Sequence, residues 1–169
     1  FMKTLKSRNV ARAILVNDKH QCFLFKLKLP WISDSVWMAA GGGMEAGESP
    51  QAALIRELYE ETGLTNVEVG RLLWECRFSF QYNNEVRPVY ERYYLVKTAD
   101  FQPSFAGMEQ YEIDSLIDFR WWSLAELQTA TDHFTPNQLP TLLPQILQDT
   151  FSDTDLVITD PLPANYVPS

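Results

Sequence analysis

Between Gly41 and Leu64 the chain reads GGGMEAGESPQAALIRELYEETGL, and this stretch narrows the choice of fold more than any other. Ser49 followed by Pro50 signals a helix start: a short hydroxyl side chain can accept from a first-turn N–H, and the proline ring presets φ where no N–H is needed. Gly63 supplies the stop, because glycine adopts the left-handed conformation that closes a helix. A helix over about 50–62 follows. At about 100° per residue, Ala52, Leu54, Ile55, Leu58 and Tyr59 fall on one side, expected to be buried, and Glu57, Glu60 and Glu61 on the other. Like charges one turn apart repel, and Glu48 adds another at the helix entrance. The plain reading is a solvated face with one Arg56–Glu60 ion pair. The sharper reading is a cation held among the carboxylates. Gly41, Gly42 and Gly43 read as a turn before the helix, where bare backbone can approach a ligand. Hard oxygen donors of this kind suit Mg²⁺, which keeps several waters and is shared with substrate phosphates.

The flanks are β-rich. NVARAILVN and QCFLFKLKL read as a hairpin across DKH, and VWMAA as a strand feeding the glycines. VEVGRLLWECRFSFQ and VYERYYLVKTADF read as strands joined through YNNEVRP, and DFRWWS as a short one. Ser123 with Glu126 forms a capping box for a helix, and a last helix is expected to begin with Thr135 as cap and Pro136 in the first turn. Residues 105–117 read as a loop with one turn of helix. A helix set between strand groups places the chain in the α/β (α+β) class. One domain over residues 2–150 is expected, then an extended or mobile tail over 151–169, rich in Asp, Thr and Pro. Phe1, ahead of Met2, is expected to be a cloning remnant.

Composition excludes several functions. A net charge of -8 disfavours a nucleic-acid polymer as partner, since polyanions are held by clustered Lys and Arg. A small phosphorylated molecule arriving with a divalent ion remains compatible. No apolar run reaches the roughly 20 residues of a membrane helix, so no membrane partner is expected and the default location is cytoplasmic. A homodimer is left open. Cys22 and Cys76, each inside an apolar run, read as buried reduced thiols rather than a redox pair.

Gly42, five residues, Glu48, seven residues, then Arg56-Glu57-Leu58-x-Glu60-Glu61-x-Gly63-Leu64 resembles, without a departure, the signature box of the Nudix (MutT-like) hydrolases. The resemblance implies an α/β/α sandwich with a mixed, curved sheet between helices. It implies a Mg²⁺-dependent hydrolase, Mn²⁺ being an alternative, that cleaves the pyrophosphate linkage of a nucleoside diphosphate joined to another group. The proline usual before the family's glycines is replaced by Ala40, with little effect expected on chemistry.

By the same resemblance, Glu57, Glu60 and Glu61 bind the divalent ions and Gly42 offers a backbone carbonyl. Arg56 orients Glu57, and Glu48 pairs with Arg56 or assists the metal site. The 105–117 loop matches a region where some relatives place a further ligand or general base, for which Glu112 is favoured over Glu109. Among Arg12, Lys26, Arg77, Arg87 and Arg92, the first and third are favoured to meet substrate phosphates. Trp31, Trp74, Phe80 and Tyr82 are candidates to stack on a base, and His20 and His133 read as surface residues. Substrate choice stays open: relatives preferring ADP-ribose often carry a proline where Phe80 stands, and those acting on dinucleoside polyphosphates a tyrosine near there, Tyr82 lying slightly late. Two alternatives remain, a catalytically silent nucleotide-sensing domain and a prenyl diphosphate isomerase.

Overall fold

The computed structural model describes residues 2–28 and 34–159, apart from the side chains of Phe80 and Tyr82. Trp31 and the prolines from Pro161 onward lie outside the described residues. Among the described residues nine strands, β1 (Lys3–Thr4), β2 (Arg8–Val16), β3 (Cys22–Lys28), β4 (Ser35–Met38), β5 (Ala40–Gly43), β6 (Leu72–Tyr82), β7 (Glu85–Lys97), β8 (Leu116–Trp122) and β9 (Val157–Thr159), form one mixed sheet. Four helices among the described residues accompany it: α1 (Pro50–Thr62), α2 (Gln110–Ser115), α3 (Leu124–Thr129) and α4 (Leu139–Leu147).

Strand β2 organises the sheet. One side runs parallel to β7 along its whole length, while the other pairs antiparallel with β5 near its start and with β3 at its end. Its alternation sends Ala11, Ala13 and Leu15 to the face that carries α1, and Ile14 and Val16 to the face that carries α3 and α4. The result is the expected sandwich, helices on both faces of a mixed sheet.

Under α1 the sheet is nearly bare. Ala11 pairs with Gly42 and Ala13 with Ala40, so little side-chain bulk separates helix from backbone. Leu54 and Leu58 fill this hollow completely, each worth about 1.5–3 kcal/mol in burial. The helix has the bounds read from the sequence, with Ser49 Oγ accepting from Ala52 N at 3.1 Å and Gly63 closing it at φ 78°.

Several expectations need correction. Gly41–Gly43 are not a turn but strand β5, because β2 offers them a full antiparallel partner; the loop into α1 begins after them. The buried face of α1 is Ala53, Leu54, Leu58, Glu61 and Thr62, whereas Ala52, Ile55 and Tyr59 are exposed. The helix is rolled so that its carboxylate edge meets the glycine strand. Helix α4 starts at Leu139, not near Thr135, because Phe134 bridges to Trp37 and Thr135 N–H donates to Trp37 O, tying that segment to the edge strand. Strands β6 and β7 run on into a two-residue turn at Asn83 and Asn84, both at positive φ, as a tight hairpin requires. Within the stretch read as a tail, β9 pairs in parallel with β6 and buries Ile158. Cys22 and Cys76 are buried free thiols, as expected, the former pushed up to about 12 by burial.

Candidate active site

The bare strands and the rolled helix set four carboxylates along the edge where α1 meets β5, three of them around Arg56 and Glu61 at Gly41. Arg56 is the hub. Its Nε and Nη2 donate to the two oxygens of Glu48 at 2.9 and 2.8 Å, and Nη2 also donates to Gly43 O at 3.0 Å. Its Nη1 donates to Glu57 Oε1 at 3.0 Å and more weakly to Glu60 at 3.4 Å. A planar guanidinium suits this task because its donors fan out in a fixed fork. Of the two expectations for Glu48, the pairing with Arg56 is the contact present, and the same guanidinium reaches Glu57.

Glu57 lies against Gly42. A Cβ added to Gly42 would meet the Glu57 carboxyl carbon at 2.5 Å, so the absent side chain makes the room the carboxylate occupies. Burial raises the pKa of Glu57, with Arg56 opposing and Glu60 and Glu112 adding to the rise. Glu60 is the most open of the three helix acids, its side chain 40% exposed.

Glu61 is held differently. It is 8% exposed, and Oε2 accepts the Gly41 N–H at 2.8 Å. No salt bridge reaches it among the described residues. Burial pushes its pKa up to about 8, against the Gly41 N–H and the positive charge of Arg12. An ionised carboxylate in such surroundings calls for a cation. Among the described residues no three acids, histidines or thiols converge on one point, but Mg²⁺ needs only one or two carboxylates and keeps its waters. Glu57, close enough to raise the pKa of Glu61, fits that demand together with it.

The remaining candidates divide. Arg12, expected to meet a substrate phosphate, is engaged within the protein: its Nε donates to Glu91 at 2.8 Å and Nη1 to Gly41 O at 3.0 Å. Arg77 lies on β6, two strands beyond β2, and donates to Glu75 at 2.9 Å, as Arg92 does at 3.1 Å. Lys26 sits over Trp37 beside a separate polar cavity with Asp132 and His133. Trp74 is fully buried and stacked on Tyr93, so it cannot take a base. The backbone of Tyr82 pairs with Glu85 at the hairpin tip; its side chain, like that of Phe80, lies outside the described residues. Glu112 belongs to α2, the short helix expected within the 105–117 segment, and its Oε1 accepts the Glu109 N–H at 3.1 Å. Its charge nonetheless raises the pKa of both Glu57 and Glu61.

The whole of this geometry sits in a chain that matches the NUDIX domain over residues 6–142. The chain belongs to the NUDIX family. An RNA pyrophosphohydrolase of Haemophilus ducreyi is 33% identical over 109 residues, 64% of this chain and 45% of that protein. One from Actinobacillus pleuropneumoniae serotype 3 is 38% identical over 74 residues, 44% of this chain and 32% of that protein. The chain thus spans less than half the length of these curated relatives. Among solved structures, the E. coli ORF135 protein superposes with a TM-score of 0.60 at 22% identity, covering 91% of this chain and 96% of that one. MutT of Methanosarcina mazei Go1 gives 0.60 at 18%, covering 89% and 98%. These likenesses show the NUDIX fold.

Two residues of this NUDIX site were not read from the sequence. Glu91 left a signal: Val89, Glu91, Tyr93 and Leu95 share one phase of β7, an acid among residues that go inward. Arg8 left none. As a residue it is exposed, yet its guanidinium lies low over Gly43, where an added Cβ would come within 3.4 Å of Nε. Burial and the neighbouring Arg12 lower its pKa, opposed by Glu91, Tyr111 and Glu57. Among the described residues the Arg8 side chain has no hydrogen bond or ion pair, unlike those of Arg12, Arg56, Arg71, Arg77, Arg87, Arg92 and Arg120.

Proposed function

We propose that this NUDIX domain is a Mg²⁺- or Mn²⁺-dependent pyrophosphohydrolase that cleaves the pyrophosphate linkage of a nucleoside diphosphate joined to another group. The observation that carries the reading is Glu61, a buried acid that accepts one peptide N–H and makes no salt bridge among the described residues, set beside Glu57 against side-chain-free backbone. Glu57 and Glu61 would hold the ion, with Gly42 offering a carbonyl and Glu60 at the open edge. When bound, the ion neutralises diphosphate charge and eases deprotonation of water. The protein's own part is positional, as phosphoryl transfer leaves little covalent chemistry to side chains. Arg56 keeps Glu57 in place, Glu112 is the group to accept the water proton, and Arg8 is the guanidinium available to a phosphate. Water oxygen bonds to phosphorus as the bridging P–O bond breaks, and the released phosphate takes up the negative charge.

A small nucleotide suits the surface better than a long polyanion. The chain carries a net charge of -8, and all its arginines but Arg8 are engaged within the protein. No helix among the described residues is long and apolar enough to cross a membrane. The test is a substrate panel in ¹⁸O-labelled water with Mg²⁺. It holds nucleoside triphosphates, oxidised nucleotides, ADP-ribose, a UDP-linked diphosphate, dinucleoside polyphosphates, prenyl diphosphates and an RNA with a terminal pyrophosphate linkage. Turnover with label in a phosphate product is expected from a nucleotide. Tight binding without turnover on every member would overturn the reading in favour of a sensing domain.

A further inference from the structure

On the face of the sheet that carries α3 and α4, in the same phase as Ile14 and Tyr93, β2 and β7 bury an ion pair. Arg12 and Glu91 meet at 2.8 Å with side chains 13% and 8% exposed, beside Tyr93, Trp74 and Cys76, all buried. A buried ion pair rarely outdoes apolar side chains of the same volume, because both charges lose their water. Packing alone therefore does not account for it. What sets this pair apart is the second use made of the guanidinium. Arg12 Nη1 donates to Gly41 O at 3.0 Å and to Ala39 O at 3.4 Å. Those two carbonyls belong to the peptides on either side of the Ala40–Gly41 peptide, the one whose N–H donates at 2.8 Å to Glu61 of α1. Gly41 needs such holding, for its φ of 135° is one that side chains rarely adopt and glycine leaves by little resistance.

We propose that Arg12 and Glu91 are positioning residues: Glu91 fixes the Arg12 guanidinium, which sets the Ala40–Gly41 peptide and through it the carboxylate of Glu61. The pair touches neither substrate nor ion. The proposal rests on Glu61 being a metal ligand, so the test must tell the two apart.

The probe is Mn²⁺ alone, its binding followed by the loss of the free-ion signal in electron paramagnetic resonance, beside kcat and KM on the best substrate of the panel. The variants are Arg12→Lys, Glu91→Gln and the double change Arg12→Met with Glu91→Met, each also followed by its melting temperature and by the amide resonance of ¹⁵N-labelled Gly41. The double variant is expected to stay folded, with a melting temperature at or above the parent's, and to bind Mn²⁺ at least tenfold more weakly, as when partners that orient metal ligands are removed. Its kcat falls while KM changes little, and the Gly41 resonance moves. Arg12→Lys, which keeps charge but cannot reach both carbonyls and Glu91 at once, is expected to fall between. A folded double variant within about twofold of the parent in Mn²⁺ affinity and kcat overturns the proposal. Should the double variant unfold, Arg12→Lys decides: unchanged affinity and an unmoved Gly41 resonance overturn it equally. A parent protein that binds no Mn²⁺ overturns the metal reading itself.

Discussion

The acidic helix is fastened to the glycine strand at two corners, by opposite means. At the outer corner Arg56 gathers Glu48, Glu57 and Glu60 and reaches Gly43 O. At the inner corner Glu61 has one peptide N–H and lies out of water. The pKa values follow the partners: the Arg56 bonds hold Glu48 down at about 2, and burial drives Glu61 up to about 8. A guanidinium replaces the hydration a carboxylate loses, whereas a single amide does so only in part. The outer corner is thus self-sufficient, and the inner one is where an added cation has most to neutralise.

The largest effect that can break this contrast is on turnover. Glu57→Gln and Glu61→Gln are each expected to lower kcat by roughly 10³-fold, the several kcal/mol of charge stabilisation a bound ion supplies. Both should remain folded, since each removes charge from a repelling group. Near-parent rates for either in saturating Mg²⁺ would show that the ion sits elsewhere. Glu112→Gln comes next, with a loss of about 10²-fold, the lower end for a positioned base, while Glu109→Gln stays within about threefold. Equal, small losses in both would leave proton removal to the acids of α1.

The adjacent glycines separate the corners by a different measure. A Cβ on Gly41 would lie 2.1 Å from Ala11 O, a backbone atom in the neighbouring strand, and φ there is 135°. On Gly42 its nearest neighbours would be the carboxyl atoms at the far end of the Glu57 side chain, the first at 2.5 Å. Gly41→Ala is expected to destabilise the protein by at least about 2 kcal/mol through strain and overpacking. Gly42→Ala should keep its melting temperature within a few degrees while displacing Glu57, at about 10²-fold in rate for a shift near 1 Å. The two melting curves and one rate assay decide the matter; a Gly42→Ala protein with parent activity would mean that Glu57 need not lie against the backbone.

How much of this the sequence could tell depended on distance along the chain. Signals within one element were legible: Ser49, Pro50 and Gly63 bounded α1, and Ser123 with Glu126 started α3. The acids of the site were legible too, because like charges on one short helix need a reason. Facts that depend on a distant strand were not. Whether three glycines make a turn or a strand is decided by β2, some thirty residues earlier. Which side of α1 is buried is decided by Ala11, Ala13 and Ala40, whose smallness lets Glu57 and Glu61 face inward and leaves Ile55 and Tyr59 in water. Arg12 looked free for phosphate because Glu91, its partner, is 79 residues away.

The smallest effect tests the self-sufficiency of the outer corner. Glu48→Gln leaves Arg56 with one strong carboxylate partner fewer, so its guanidinium turns more fully to Glu57 and competes with the ion. The Mg²⁺ concentration for half-maximal rate is expected to rise about threefold, in keeping with the modest worth of a partly exposed ion pair, with kcat at saturation unchanged. The acid side offers an independent check. A carboxyl whose folded pKa is depressed, as that of Glu48 is to about 2 from 4.5, contributes stability that is complete above the unfolded value and lost as pH falls through the folded one. The parent should therefore melt above the Glu48→Gln variant at neutral pH, and the gap should narrow steadily between about pH 4.5 and 2. A gap that persists unchanged at pH 2 would mean that the substitution disturbs packing at the loop rather than removing a charge from Arg56.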